Sequence, residues 1–197
     1  MKLANRVALV TGAGSGIGRA TALALAKRGC HLALADIDGN AVADTARQAR
    51  TCNVRASSHQ IDVADRAAVQ ALPGAVYAAH QRIDLLMNNA GVALGGTFEQ
   101  VSEADFDWLM EINFHAVVRM TRAFLPALRS SDDARIVNVS SVFGLISLAG
   151  NGTYNASKFA IEVATPPGCT TETPTLVPAS SWRSALEKPR TANLLAQ

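Results

Sequence analysis

Thr11-Gly12-Ala13-Gly14-Ser15-Gly16-Ile17-Gly18 is the stretch that decides how this 197-residue chain is read. Residues 7–10 before it are a short apolar run rich in β-branched side chains, and residues 17–27 after it are Ala/Leu-rich and read as helix. A glycine-rich turn between strand and helix lets the backbone approach an anionic group closely. The helix N-terminus then supplies free N–H donors and partial positive charge, the combination that suits a pyrophosphate. The same glycines would also serve an ordinary strand-to-helix turn, so the weight comes from what surrounds them.

Working outward, residues 31–35 form a second apolar run ending at Asp36, 18 residues past Gly18. That is close to the roughly 20-residue spacing at which an acidic side chain takes a ribose 2′-hydroxyl. Ile37 follows, where a 2′-phosphate would ask for arginine or lysine, so NAD is expected over NADP. Further along, residues 41–50 read as helix, 54–61 as a weaker strand and 64–80 as a helix that Pro73-Gly74 is expected to kink or split. Residues 83–87 and 136–139 read as strands. Ser102, with Asp105 three residues on, is placed to cap a long helix running towards Pro126, and Tyr154 begins another helix. Short apolar strands alternating with helices predict an α/β fold: a doubly wound parallel sheet with helices on both faces.

The pattern changes after about residue 162. Five of the seven prolines (Pro166, Pro167, Pro174, Pro178, Pro189) fall in the last 35 residues, which carry no apolar strand run and no sustained helical period. The expected organisation is one catalytic domain over residues 1–162 and an irregular Pro-rich tail over 163–197, with at most a short helix near 184–187.

Composition narrows the function classes. Hydrophobic residues make up 49% and charged residues 17%, with a net charge of +2 and scattered basic residues, so neither a nucleic-acid stripe nor a polybasic membrane patch is expected. Cys30, Cys52 and Cys169 are odd in number and lack C-x-x-C spacing, which suits a reducing cytoplasm. No apolar run is long enough for a membrane span, and residues 1–6 lead straight into the first strand without an apolar signal region.

Tyr154 and Lys158 stand four apart, on one face of the predicted helix. An ammonium held beside a phenol favours the phenolate and so suits the pair to acid–base work. Alone, without the serine and the glycine turn, they read first as an exposed helix pair. Likewise Asn88 and Asn89 alone could be turn residues, Asn113 a buried helix amide, and Ser140 and Ser141 strand-end hydroxyls.

Taken in order, these motifs resemble the short-chain dehydrogenase/reductase family. The Thr-Gly-x-x-x-Gly-x-Gly spacing, Asp62-Val63, Asn88-Asn89-Ala90-Gly91, Asn113, Ser140-Ser141 and Tyr154-Asn155-Ala156-Ser157-Lys158 all follow the family's sequence of motifs over residues 5–162. The resemblance implies a Rossmann-type fold and an oxidoreductase acting on a small-molecule alcohol or carbonyl. It implies Tyr154 as general acid/base and Ser141, 13 residues before it, hydrogen-bonding the substrate oxygen. Lys158 would hold the nicotinamide ribose, and Asn113 would organise a water-linked proton relay. Cofactor contacts are expected from Gly12, Ser15, Gly16, Ile17, Gly18, Asp36, Asp62, Val63, Asn89, Ala90, Gly91, Tyr154 and Lys158, and no metal is expected. Family members continue with a sixth strand, a Pro-Gly turn, a substrate loop and a seventh strand; Pro167-Gly168 comes too early to be that turn. Loss of these elements would unsettle the substrate pocket and the helix faces that build the family's dimers and tetramers. A truncated, weakly active or inactive nucleotide-binding homologue is therefore the alternative reading.

Overall fold

The computed structural model describes residues 2–164 and 175–178. The expected helix near 184–187 and four of the tail prolines (Pro166, Pro167, Pro174, Pro189) lie outside them. Six strands form one sheet: β1 (Val7–Thr11), β2 (His31–Asp36), β3 (Ala56–Gln60), β4 (Leu85–Asn88), β5 (Arg135–Asn138) and β6 (Thr175–Pro178), in the order β3-β2-β1-β4-β5-β6. The first five strands pair in parallel, with Thr11 opposite Ala35 and Asn88 opposite Asn138, while β6 runs antiparallel to β5. The helices are α1 (Gly16–Lys27), α2 (Gly39–Arg50), α3 (Arg66–His80), α4 (Glu103–Met110), α5 (Ala116–Arg129) and α6 (Gly152–Ala164).

Successive strand side chains point to opposite faces, so the near-continuous apolar strands feed two cores. Val7, Leu9, Ala33, Leu86 and Ile136 pack with Val69, Leu72 and Val76 of α3 and Met120, Phe124 and Leu128 of α5. Ala8, Val10, Leu32, Leu34 and Met87 pack with Ala22, Leu25 and Ala26 of α1 and Val42, Ala46 and Ala49 of α2. Below the sheet, the fully buried Asp84 accepts hydrogen bonds from Val7 N (2.9 Å), Arg6 (3.0 Å) and Ser131 (2.6 Å), and pairs with Arg82. Burial alone would raise its carboxyl pKa, but these donors hold it below the usual carboxylate value.

Two local expectations are corrected. Helix α3 is continuous through Pro73 instead of splitting there. Proline removes one N–H, yet Val69, Leu72, Val76 and His80 keep one buried stripe across the site, and Asp65 caps the first turn through Ala67 N and Ala68 N. In the Pro-rich tail, Thr175–Pro178 forms a strand, which its composition did not announce. Pro178 sits at the strand's end on the sheet edge, where a missing N–H is tolerated.

Strand order reverses between β2-β1 and β1-β4, so the carboxyl ends of β1, β2 and β4 open a crevice at the topological switch point. The glycine turn, Asp36 and Asn88-Asn89-Ala90-Gly91 all emerge there.

Candidate active site

The glycine turn is latched to the end of β4. The Thr11 hydroxyl accepts from Asn89 N and Ala90 N, both at 3.0 Å. The Asn89 side chain donates to Thr11 O (2.9 Å) and Gly12 O (3.2 Å). Gly12 has φ of +65°, and a Cβ there would stand 2.9 Å from Asn89 Nδ2. A Cβ on Gly18 would overlap the Gly12 carbonyl oxygen, so the third glycine lets α1 pack onto the turn. Asp36 ties in from β2: its carboxylate accepts Gly14 N at 2.7 Å and Asp38 N at 3.0 Å.

These segments enclose a cleft of about 580 Å³ lined by Gly12, Ser15, Gly16, Ile17, Asp36, Asp62, Val63, Asn89, Ala90 and Gly91. Ten of the thirteen residues expected to touch a cofactor thus line one cleft. Gly18 packs beneath the turn. Lys158 meets the cleft at its Gly91 end, where a Cβ on Gly91 would lie 3.6 Å from Lys158 Nζ.

At that end, α6 carries Tyr154 and Lys158. Lys158 is 6% exposed, its ammonium donates to Val139 O at 3.1 Å, and it lies 5.6 Å from the Tyr154 ring centroid. Burial pulls its pKa below the ordinary lysine value. Phe143 meets the Tyr154 ring edge-on with centroids 6.2 Å apart. Ser141 caps the 3-10 turn Val142–Gly144, its hydroxyl accepting from Phe143 N at 3.2 Å. Ser140 is turned away onto α6, donating to Lys158 O at 3.4 Å.

Asn113 lies in a π-helical turn, Glu111–His115, between α4 and α5, and is 1% exposed. Its amide accepts from Val92 N (2.8 Å) and donates to Val92 O (2.9 Å) and Ser157 Oγ (3.1 Å). The widened turn aims one side chain at both the loop after Gly91 and α6, a use often found for π-bulges.

Sequence reasoning missed Ile61, Val92, Trp108 and Ile112, which together with Ile37 complete the cleft. The four-residue spacing of Trp108 and Ile112, ending beside Asn113, was the available signal. A larger cavity of about 720 Å³, with Thr97, Phe98, Phe106, Leu148 and Thr153 in its walls, adjoins the α6 turn that carries Tyr154.

A family profile described as short chain dehydrogenase matches residues 6–168, and the chain belongs to that family. It is 44% identical over 156 residues to the oxidoreductase SadH of Mycobacterium tuberculosis, covering 79% of this chain and 56% of the relative. Among solved structures it is similar to a short chain dehydrogenase/reductase from Burkholderia phymatum in complex with NAD. There the TM-score is 0.80 and the identity 40%, over 83% of this chain and 59% of that one. A metagenomic short-chain oxidoreductase in complex with NADP gives a TM-score of 0.78 and 34% identity, over 84% of this chain and 75% of that one. The chain thus spans somewhat over half the length of the first two. The two solved structures hold a nicotinamide cofactor, NAD in one and NADP in the other.

The cleft fits such a group. Helix α1 has no acidic residue in its first turn and Ser15 makes no side-chain cap bond, leaving N–H donors and a hydroxyl for phosphate oxygens. Among the described residues, no cluster of three or more potential metal ligands occurs, and no helix is long and apolar enough to cross a membrane.

Proposed function

We propose that this chain interconverts an alcohol and its carbonyl, with NAD(H) held in the cleft between the glycine turn and Asp36. The observation that carries this reading is the meeting of Lys158, packed beside Tyr154, with the Gly91 end of a cleft whose other wall holds Asp36. NAD, when bound, supplies the hydride acceptor, or in its reduced form the donor.

The chain's residues do the rest. The Tyr154 oxygen takes the proton from the substrate alcohol as a phenolate during oxidation, and as the resulting hydroxyl it gives that proton to the carbonyl oxygen during reduction. Ser141 hydrogen-bonds that same oxygen and orients it. Lys158 places its positive charge beside the Tyr154 ring and reaches the Gly91 corner, where the nicotinamide ribose would lie. Asn113 positions Val92 and α6 relative to each other. Asp62 and Val63 flank the adenine. Asp36 favours NAD, because its carboxylate accepts ribose hydroxyls and repels a 2′-phosphate. The setting we assign is the cytoplasm, in keeping with Cys30 and Cys52 as free thiols; burial pushes the Cys30 thiol up to about 12 and leaves it inert.

Replacing Tyr154 with phenylalanine tests this. Turnover of simple alcohols, followed by nicotinamide absorbance, should fall roughly hundredfold or more while cofactor affinity stays put. Undiminished turnover in Tyr154→Phe would remove the proposed role. A second reading is nucleotide binding without turnover. Tight cofactor binding with no turnover of any alcohol or ketone by the parent chain would select it.

A further inference from the structure

Trp108 is a large aromatic side chain left 47% exposed on α4, and the chemistry described so far gives it no work. It lies one helical turn before Ile112, so the two share a face, and both line the nucleotide cleft on the side formed by α4 and the π turn. Asp62 and Val63, at the end of β3, are in the same lining. Trp108 also lines a separate hollow of about 390 Å³ with Ala64, Glu111 and His115, so it borders both spaces. A half-exposed indole at the edge of a cleft offers a flat apolar surface, and the flat ligand group suited to it is a purine ring.

We infer that Trp108 is a binding residue for the adenine ring, covering the base from the α4 side and setting dinucleotide affinity. This rests on the cleft being the nucleotide site. The chemical class it selects is the adenine nucleotide half, ADP as much as NAD. It acts through affinity for the base and takes no part in proton transfer.

The test is a titration of the full chain with ADP and with NAD, read by calorimetry and by tryptophan emission. Trp182 is the sequence's only other tryptophan, so Trp182→Phe isolates the signal of Trp108. ADP should quench the emission of Trp182→Phe. Trp108→Ala should weaken ADP and NAD together, by about tenfold, as expected for losing one base–aromatic stack. Trp108→Phe, which keeps a ring, should stay within about threefold of the parent, which a loss through misfolding would not predict. ADP that binds Trp108→Ala as tightly as the parent, or that leaves the emission of Trp182→Phe unchanged, overturns the inference while the nucleotide reading stands. A parent chain that binds neither ADP nor NAD overturns both.

Discussion

Asp36 already holds two backbone donors, Gly14 N and Asp38 N, so it has a structural duty besides the one proposed towards ribose. The double variant Asp36→Ala with Ile37→Arg should therefore do two things. It should narrow or reverse the preference for NAD over NADP, and it should weaken NAD about tenfold, because the glycine turn loses an ionised acceptor. Titration with both nucleotides checks this; a variant that gains NADP at no cost to NAD would show that Gly14 does not need the carboxylate. His80 gives a pH prediction. It is 2% exposed, hydrogen-bonded with Ser57 at 2.8 Å, and burial, aided by the positive field of Arg55 and by neighbouring His59 and His31, lowers its pKa to about 4. The unfolded chain takes up this proton near pH 6.5, the folded chain only near 4. Stability is therefore whole above 6.5 and falls as pH drops towards 4, by an amount on the order of 3 kcal/mol. Urea unfolding across that window should show the slope in the parent and a shallower one in His80→Leu, with His59 contributing the remainder. An equal slope in both would remove His80 as the cause. Glycines, Asp36 and the Tyr-Lys pair were legible in the sequence because their spacings follow from one turn and one helix. His80 and Asp84 were not, since their neighbours come from strands and loops distant in sequence.

At the scale of elements, the segment α4–π–α5 brings Trp108 and Ile112 to the cleft and Asn113 to α6. Ser102 caps its start, accepting from Asp105 N at 3.1 Å, as its sequence predicted. The π turn has no compositional mark and became visible only in the structure, although Asn113 itself stood out. Asn113→Ala would remove the amide that bonds the half-buried Val92 N–H and C=O and that donates to Ser157 Oγ, which keeps its own bond to Tyr154 O. It should cost about 2–4 kcal/mol in denaturant unfolding, against about 1 kcal/mol for Ser102→Ala. Equal losses for the two variants would mean the Asn113 contacts are not specially strong. Pro73 shows why a local rule failed: a helix breaker was outvoted by a buried apolar stripe on both sides of it. The β6 strand shows the complementary case, for its four residues pair only because β5 presents an open edge to them.

For the molecule as a whole, five parallel strands and the crossover between β1 and β4 place every motif of the glycine turn, Asp36 and Asn89-Ala90-Gly91 at one end of the sheet. That much follows from alternating apolar runs and the hand of βαβ units. The central claim is that this crevice takes a nicotinamide dinucleotide along its length. It is tested most directly by mapping backbone amide shifts of the full chain during NADH titration by NMR. The account predicts saturable shifts concentrated at residues 12–18, 36–37, 62–63 and 89–92, with a further set around Lys158. Shifts confined to the cavity near Phe98 and Leu148, or a spectrum of the folded chain that NADH leaves unchanged, would contradict it.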